Sequence, residues 1–203
     1  MNDDDAAQAS ATLESVEIAP EVVVLGLGNR LRRDEGLGIC ALERLYQRYI
    51  LPHGVQLVDG GVLGFELLAY VEEAPRLLVL DAALTGGAPG ELLRFEDEQA
   101  PAYFGIGGSA RDMGLSDLLD LAERQGRRPA SVVILGMQPG SIELGWGLSS
   151  AVALRLDALA DAAARQLTVW GYATRARQQA VATDEAAREA VRRAIDGEEA
   201  DRG

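Results

Sequence analysis

The 203-residue chain reads as a single α/β domain: a mostly parallel twisted sheet sandwiched between helices, with one antiparallel edge strand. Three observations carry that expectation. Short, β-branched apolar runs alternate with stretches of helical periodicity; 48% of the residues are hydrophobic, enough for one sizeable core; and acids close several of the apolar runs. A strand, helix, strand succession implies right-handed crossovers and parallel pairing.

Taken in order, residues 1–20 are acidic, rich in Ala and Ser, and without apolar periodicity, which predicts a flexible acidic tail. Val22-Val23-Val24-Leu25 predicts a buried strand over 21–27, and Gly26 and Gly28 allow a tight turn after it. Asp34-Glu35 then opens a helical pattern through Ile39, Leu42 and Leu45, predicting a helix over 34–49 that Pro52 and Gly54 break. A second strand follows at 55–59, ended by Gly60-Gly61, then a short helix at 64–71 and a third strand at 76–81. Residues 85–90 form a loop, and 91–95 alternate well enough for the antiparallel edge strand. A glycine-rich, mobile loop is expected at 105–110, and Leu115, Leu118, Leu119 and Ala122 mark the next helix. The last core strand falls at 131–136 and a final helix at 148–170, carrying Val152, Leu156, Leu159 and Leu167. The domain thus spans 21–171. Residues 172–203, rich in Ala, Arg, Glu and Asp, read as a charged tail, either solvated or folding against a partner.

A formal charge of -13 argues against nucleic acid and anionic lipid as partners, since both need a cationic footprint. No apolar run reaches the length of about 18 residues that spans a bilayer, and the first twenty residues hold no Lys or Arg, unlike a secretory leader. A cytoplasmic monomer is the expectation. Cys40, the sole cysteine, excludes an intramolecular disulfide and sits among helical apolar positions as a small core residue. His53, the sole histidine, lies between Pro52 and Gly54 in a turn, and no G-x-S-x-G elbow exists to build a serine triad around it. Gly26-Leu27-Gly28 resembles the start of a dinucleotide fingerprint, but Leu31 stands where a third glycine is needed. Chemistry in this chain therefore rests on carboxylates.

Glu35 follows the first strand, Asp59 closes the second and Asp81 closes the third, so three distant acids fall at the carboxyl rim where open α/β sheets bind ligands. Such oxygen clusters suit a divalent cation or acid–base work. Each also has a local alternative. Asp34 reads as a helix N-cap, Asp59 as the acceptor of the Gly60-Gly61 turn amides, and Asn29 as a turn residue or a donor to a peptide carbonyl.

Leu25-Gly26-Leu27-Gly28-Asn29, Asp34-Glu35-Gly36-Leu37-Gly38, Tyr49-Ile50-Leu51-Pro52, Val58-Asp59-Gly60-Gly61, Leu80-Asp81-Ala82 and Leu135-Gly136-Met137-Gln138-Pro139 occur in one order between Val22 and Trp170. In this the chain resembles the hydrogenase maturation endopeptidases, which trim the C-terminus of the nickel-iron hydrogenase large subunit. The resemblance implies that nickel is carried by the large-subunit precursor rather than held permanently, with Glu35 and Asp81 as metal ligands. With that pair as the core, the candidate catalytic set is Glu35, Asp81 and Asp59, the last as a carboxylate able to activate water, and Asn29, Arg111 and Asp112 are the candidate substrate contacts. The family's third ligand is a histidine, and Ser109-Ala110-Arg111-Asp112-Met113-Gly114-Leu115 aligns Arg111 with it. A guanidinium offers donors only and cannot coordinate nickel. Asp112 could supply an oxygen instead, which makes a harder site. Three readings stay open: cleavage with Asp112 or substrate groups completing the metal shell, cleavage with Arg111 contacting substrate, and a non-catalytic assembly factor binding the same precursor.

Overall fold

Val22, Val23, Val24 and Leu25 are all fully buried, because β1 (Val22–Leu27) has a strand on either side and a helical layer on either face. The computed structural model describes residues 19–62, 64–97 and 114–178. Its main sheet contains β3 (Val55–Gly61), β1, β4 (Arg76–Ala82), β6 (Ser131–Met137) and β5 (Leu92–Glu96), in the order β3-β1-β4-β6-β5. The first four run parallel, and β5 pairs antiparallel with β6 at the edge. The expected edge strand is therefore present, one residue later than predicted.

Strand alternation divides the core in two. Val22, Val24, Leu78, Leu80 and Leu135 pack with α1 (Leu37–Arg48), α4 (Ser150–Ala153) and α5 (Leu156–Val169). Val23, Leu25, Leu77, Val79 and Ile134 pack with α2 (Leu68–Glu73) and α3 (Leu115–Arg124). The result is a three-layer α/β/α sandwich. At the start of α3 the Asp117 carboxylate accepts the Gly114 N–H at 2.9 Å, satisfying one of the amides a helix terminus exposes.

Three local readings change. The predicted first helix begins as a separate 3-10 turn, Arg33–Gly36, before α1. The predicted final helix is broken between α4 and α5, where the Arg155 N–H bonds to the Val152 carbonyl three residues back and tightens the turn. The third concerns the domain end, expected at residue 171. Here β2 (Tyr49–Ile50) and β7 (Arg175–Ala176) form a two-stranded antiparallel ribbon, and the Arg177 guanidinium bonds the Tyr46 and Tyr49 carbonyls and covers the Tyr46 ring. Two-residue strands are too short to leave a periodic signal, which is why the sequence did not betray them. His53 is exposed in its turn, as expected. No helix among the described residues is long and apolar enough to cross a membrane. The acidic segment 1–18, the loop at 105–110, Arg111, Asp112 and residues 179–203 lie outside the described residues.

Candidate active site

Successive crossovers leave β1 in opposite directions: α1 carries the chain to β3 on one side, and the next unit carries it to β4 on the other. The boundary between β1 and β4 is thus the topological switch point of the sheet, and its carboxyl end opens a crevice. Glu35 lies in the 3-10 turn that follows β1, and Asp81 is the last residue but one of β4, level with Gly136 of β6.

Two glycines let that turn settle onto the strands. A Cβ on Gly28, whose φ is +120°, would lie 1.7 Å from the Glu35 carbonyl oxygen, and one on Gly38 would lie 2.0 Å from the Leu80 oxygen and 2.4 Å from the Leu27 oxygen. No side chain fits at either position. Gly28 therefore serves the approach of the Glu35 backbone, whose carbonyl also accepts the Asn29 N–H at 3.2 Å, while Gly26 makes room for Gly38 at the start of α1. No phosphate need be invoked for it.

Glu35 is only 4% exposed, and its Oε2 accepts no hydrogen bond. Arg32 Nη1 is 3.0 Å from that oxygen, close enough for charge attraction but without the alignment that a hydrogen bond requires. A buried carboxylate oxygen left without a donor is costly, and Glu35 shares that state with Glu72 Oε1 and Arg48 Nε among the described residues. Asp81, 6% exposed, bonds through Oδ1 to the Ala82 N–H at 2.6 Å. Its neighbours two residues away, Val79 and Ala83, belong to the α2/α3 layer, so alternation sends Asp81 to that side.

Asp59 stands apart from this pair. Gly26 of β1 is level with Asp59 on one side and Leu80 on the other, which puts Asp59 and Asp81 two strands apart, about 10 Å. Alternation with Leu57 also turns Asp59 to the α1 side of the sheet. Its Oδ1 accepts the Gly61 N–H at 3.1 Å, the turn contact weighed from the sequence. Asn29 behaves similarly, its Oδ1 accepting the Leu31 N–H at 2.9 Å. Among the described residues, no three His, Cys, Asp or Glu side chains converge to hold a metal.

Two residues that hold the site together were not assigned that role from sequence. Asp34, read as a cap of its own helix, makes no such bond. Its fully buried carboxylate instead accepts the N–H groups of Gly140 and Ser141 at 2.8 and 2.9 Å, and both the N–H and hydroxyl of Ser149 at 2.6 and 2.7 Å. It pins the loop after β6 beside Glu35. Gln138, directly after β6, accepts the Thr85 and Gly86 N–H groups at 2.8 and 3.0 Å and fixes the loop that follows Asp81. The signal available was a single polar side chain at the end of an otherwise apolar strand.

A three-layer α/β/α fold with two buried carboxylates at its switch point defines the class of protein. The sequence pattern described as hydrogenase maturation protease matches residues 39–166. The hydrogenase expression/formation protein HupD of Rhodobacter capsulatus is 39% identical over 152 residues, 74% of this chain and 72% of that protein. The hydrogenase 2 maturation protease of Escherichia coli K12 is 36% identical over 137 residues, 67% of this chain and 84% of the relative. The solved structure of the hydrogenase maturating endopeptidase HybD from E. coli superimposes with a TM-score of 0.73 at 34% identity, covering 77% of this chain and 98% of that one. The chain belongs to the hydrogenase maturation protease family.

Proposed function

We propose that this chain is a cytoplasmic, monomeric endopeptidase that removes the C-terminal extension of a nickel-loaded nickel-iron hydrogenase large-subunit precursor. The observation that carries the reading is the undonated, buried Oε2 of Glu35 at the same crevice as Asp81. Two carboxylates form only part of a coordination shell, which suits an ion that arrives in the precursor with ligands of its own. Engaging that ion fixes the neighbouring amide in the cleft. Hydrolysis then adds a water oxygen to the scissile carbonyl carbon, breaks the C–N bond and delivers a proton to the departing amine. Nickel polarises the reacting groups and activates the water, while Asp59, turned to the α1 side of the sheet, would take part in proton transfer only through an intervening water. Asn29 shapes the turn beneath the peptide, and Arg111 and Asp112 contact substrate where the family carries its histidine.

The test is the mass of the cognate precursor after incubation with the purified protein, with and without nickel loading. Loss of a C-terminal peptide only from the loaded precursor is expected. Stable association with unchanged mass would instead identify a non-catalytic assembly factor. Arg111→His distinguishes the role of the guanidinium: faster cleavage means that it stands in for a ligand, and slower cleavage that it holds substrate.

A further inference from the structure

Three arginines follow β1 within four residues, and their surroundings differ. Arg30 pairs with Glu43, and Arg32 lies against Glu35. Arg33 has no acidic partner among the described residues. It is also strained, with φ +48°, one of two non-glycine residues in the left-handed region among those described. Such a conformation persists where the surroundings impose it, and it clusters at ligand-binding positions.

Here the surroundings are a second backbone segment. The Arg33 N–H donates to the Gly145 carbonyl at 3.0 Å, and the Gly145 N–H donates to the Leu31 carbonyl at 2.9 Å. The guanidinium folds over Gly145, with Nε 3.1 Å and Cζ 3.4 Å from where a Cβ would stand. A side chain at 145 would crowd it, and the positive φ of +153° at Gly145 favours glycine there as well. On either side, Leu31 is 51% exposed, Leu144 82% and Trp146 77%. A cation without an acidic partner among the described residues thus sits in an exposed apolar patch, one residue from Asp34 and two from Glu35.

We infer that Arg33 is a specificity residue that binds a carboxylate on the C-terminal extension of the substrate, with Leu31, Leu144 and Trp146 packing against apolar residues beside that acid. The inference rests on the reading above and extends it. Charge complementarity commits the occupant: in a chain of net charge -13, an acidic peptide is repelled by most of the surface, and an uncompensated guanidinium is the local attractor. The planar fork also matches a carboxylate with two parallel hydrogen bonds.

The experiment uses the full chain with nickel-loaded cognate precursor, and compares wild type with Arg33→Gly and Arg33→Lys. Glycine accepts the left-handed backbone, so the fold is retained, which thermal unfolding checks. The expected result is a KM raised about tenfold in Arg33→Gly with kcat unchanged, and an intermediate value for Arg33→Lys. Replacing the acids of the extension by amides costs wild type a similar factor and costs Arg33→Gly little further. Equal KM in wild type and Arg33→Gly overturns the inference. A lower KM in Arg33→Gly also overturns it, and indicates that an acidic segment of this chain occupies the cation. If wild type binds precursor without cutting it, the endopeptidase reading fails alone, and the same comparison made on dissociation constants decides Arg33. Absence of both binding and cleavage overturns both.

Discussion

Asp34 and Ser149 are joined twice across 115 positions of sequence: Oδ1 accepts the Ser149 N–H at 2.6 Å and Oδ2 accepts its hydroxyl at 2.7 Å. The pair ties the turn of Glu35 to the start of α4. Asp34→Asn exchanges an acceptor oxygen for an amide facing N–H donors, and the expected cost is about 3 kcal/mol, read from the urea denaturation midpoint. Ser149→Ala keeps the backbone bond and is expected to cost about 1 kcal/mol. Equal losses in the two variants would contradict the clamp.

Gly38→Ala is expected to be far more damaging than a helix-favouring substitution should be. Alanine ordinarily stabilises a helix by about 1 kcal/mol over glycine. Here the added carbon meets the Leu80 and Leu27 carbonyl oxygens, so α1 must lift from the sheet. Loss of soluble protein, or a midpoint lowered by about 3 kcal/mol or more, is the expected outcome.

Glu35→Gln separates stability from function. Its ion-pair partner Arg32 is 41% exposed at the side chain, and such pairs contribute little, so the variant should unfold within about 1 kcal/mol of wild type. On the proposed function, nickel-dependent cleavage should nonetheless fall by about a hundredfold or more, because the oxygen assigned to the precursor's nickel is lost. Calorimetry and precursor mass read the two separately; a parallel loss in both would mean a structural role.

Tyr49 has a phenol pKa raised above its ordinary value by burial and by the hydrogen bond it donates to Asp161 at 2.7 Å. The protonated form is the one the fold favours. Its contribution is fully present below the unfolded value of about 10, and is lost as pH rises through the higher folded value. Tyr49→Phe should therefore be less stable than wild type near pH 8, with the difference shrinking above pH of about 10. Denaturation midpoints across that range test it; a constant difference would refute the titration.

The layers, the parallel pairing with one antiparallel edge and the rim positions of Glu35 and Asp81 were legible because each rests on a local signal: buried apolar runs, glycine punctuation and an acid where a run stops; the strand order, set by which faces the helices cover, was not. What the sequence hid depends on contacts between distant segments. Asp34 looks like a cap until the loop at 140–149 folds over it, and Gln138 looks like a turn residue until its amide reaches Thr85. The β2–β7 ribbon is too short for periodicity to register. Arg33 is invisible as a strained residue, since nothing in Arg32-Arg33-Asp34 announces a positive φ at an arginine.

The clamp of Asp34 on Ser149 also has a bearing on how the protein comes into being. A chain emerging from the ribosome exposes Glu35 early, but β1 gains its neighbours only when β3 and β4 have appeared, and the turn is locked only once Ser149 is free to reach it. Pairings of such long sequence separation form late and slowly. A chain that stops short of Ser149 therefore lacks the clamp that holds the turn bearing Glu35, so the last piece of the rim is supplied by sequence more than a hundred residues downstream.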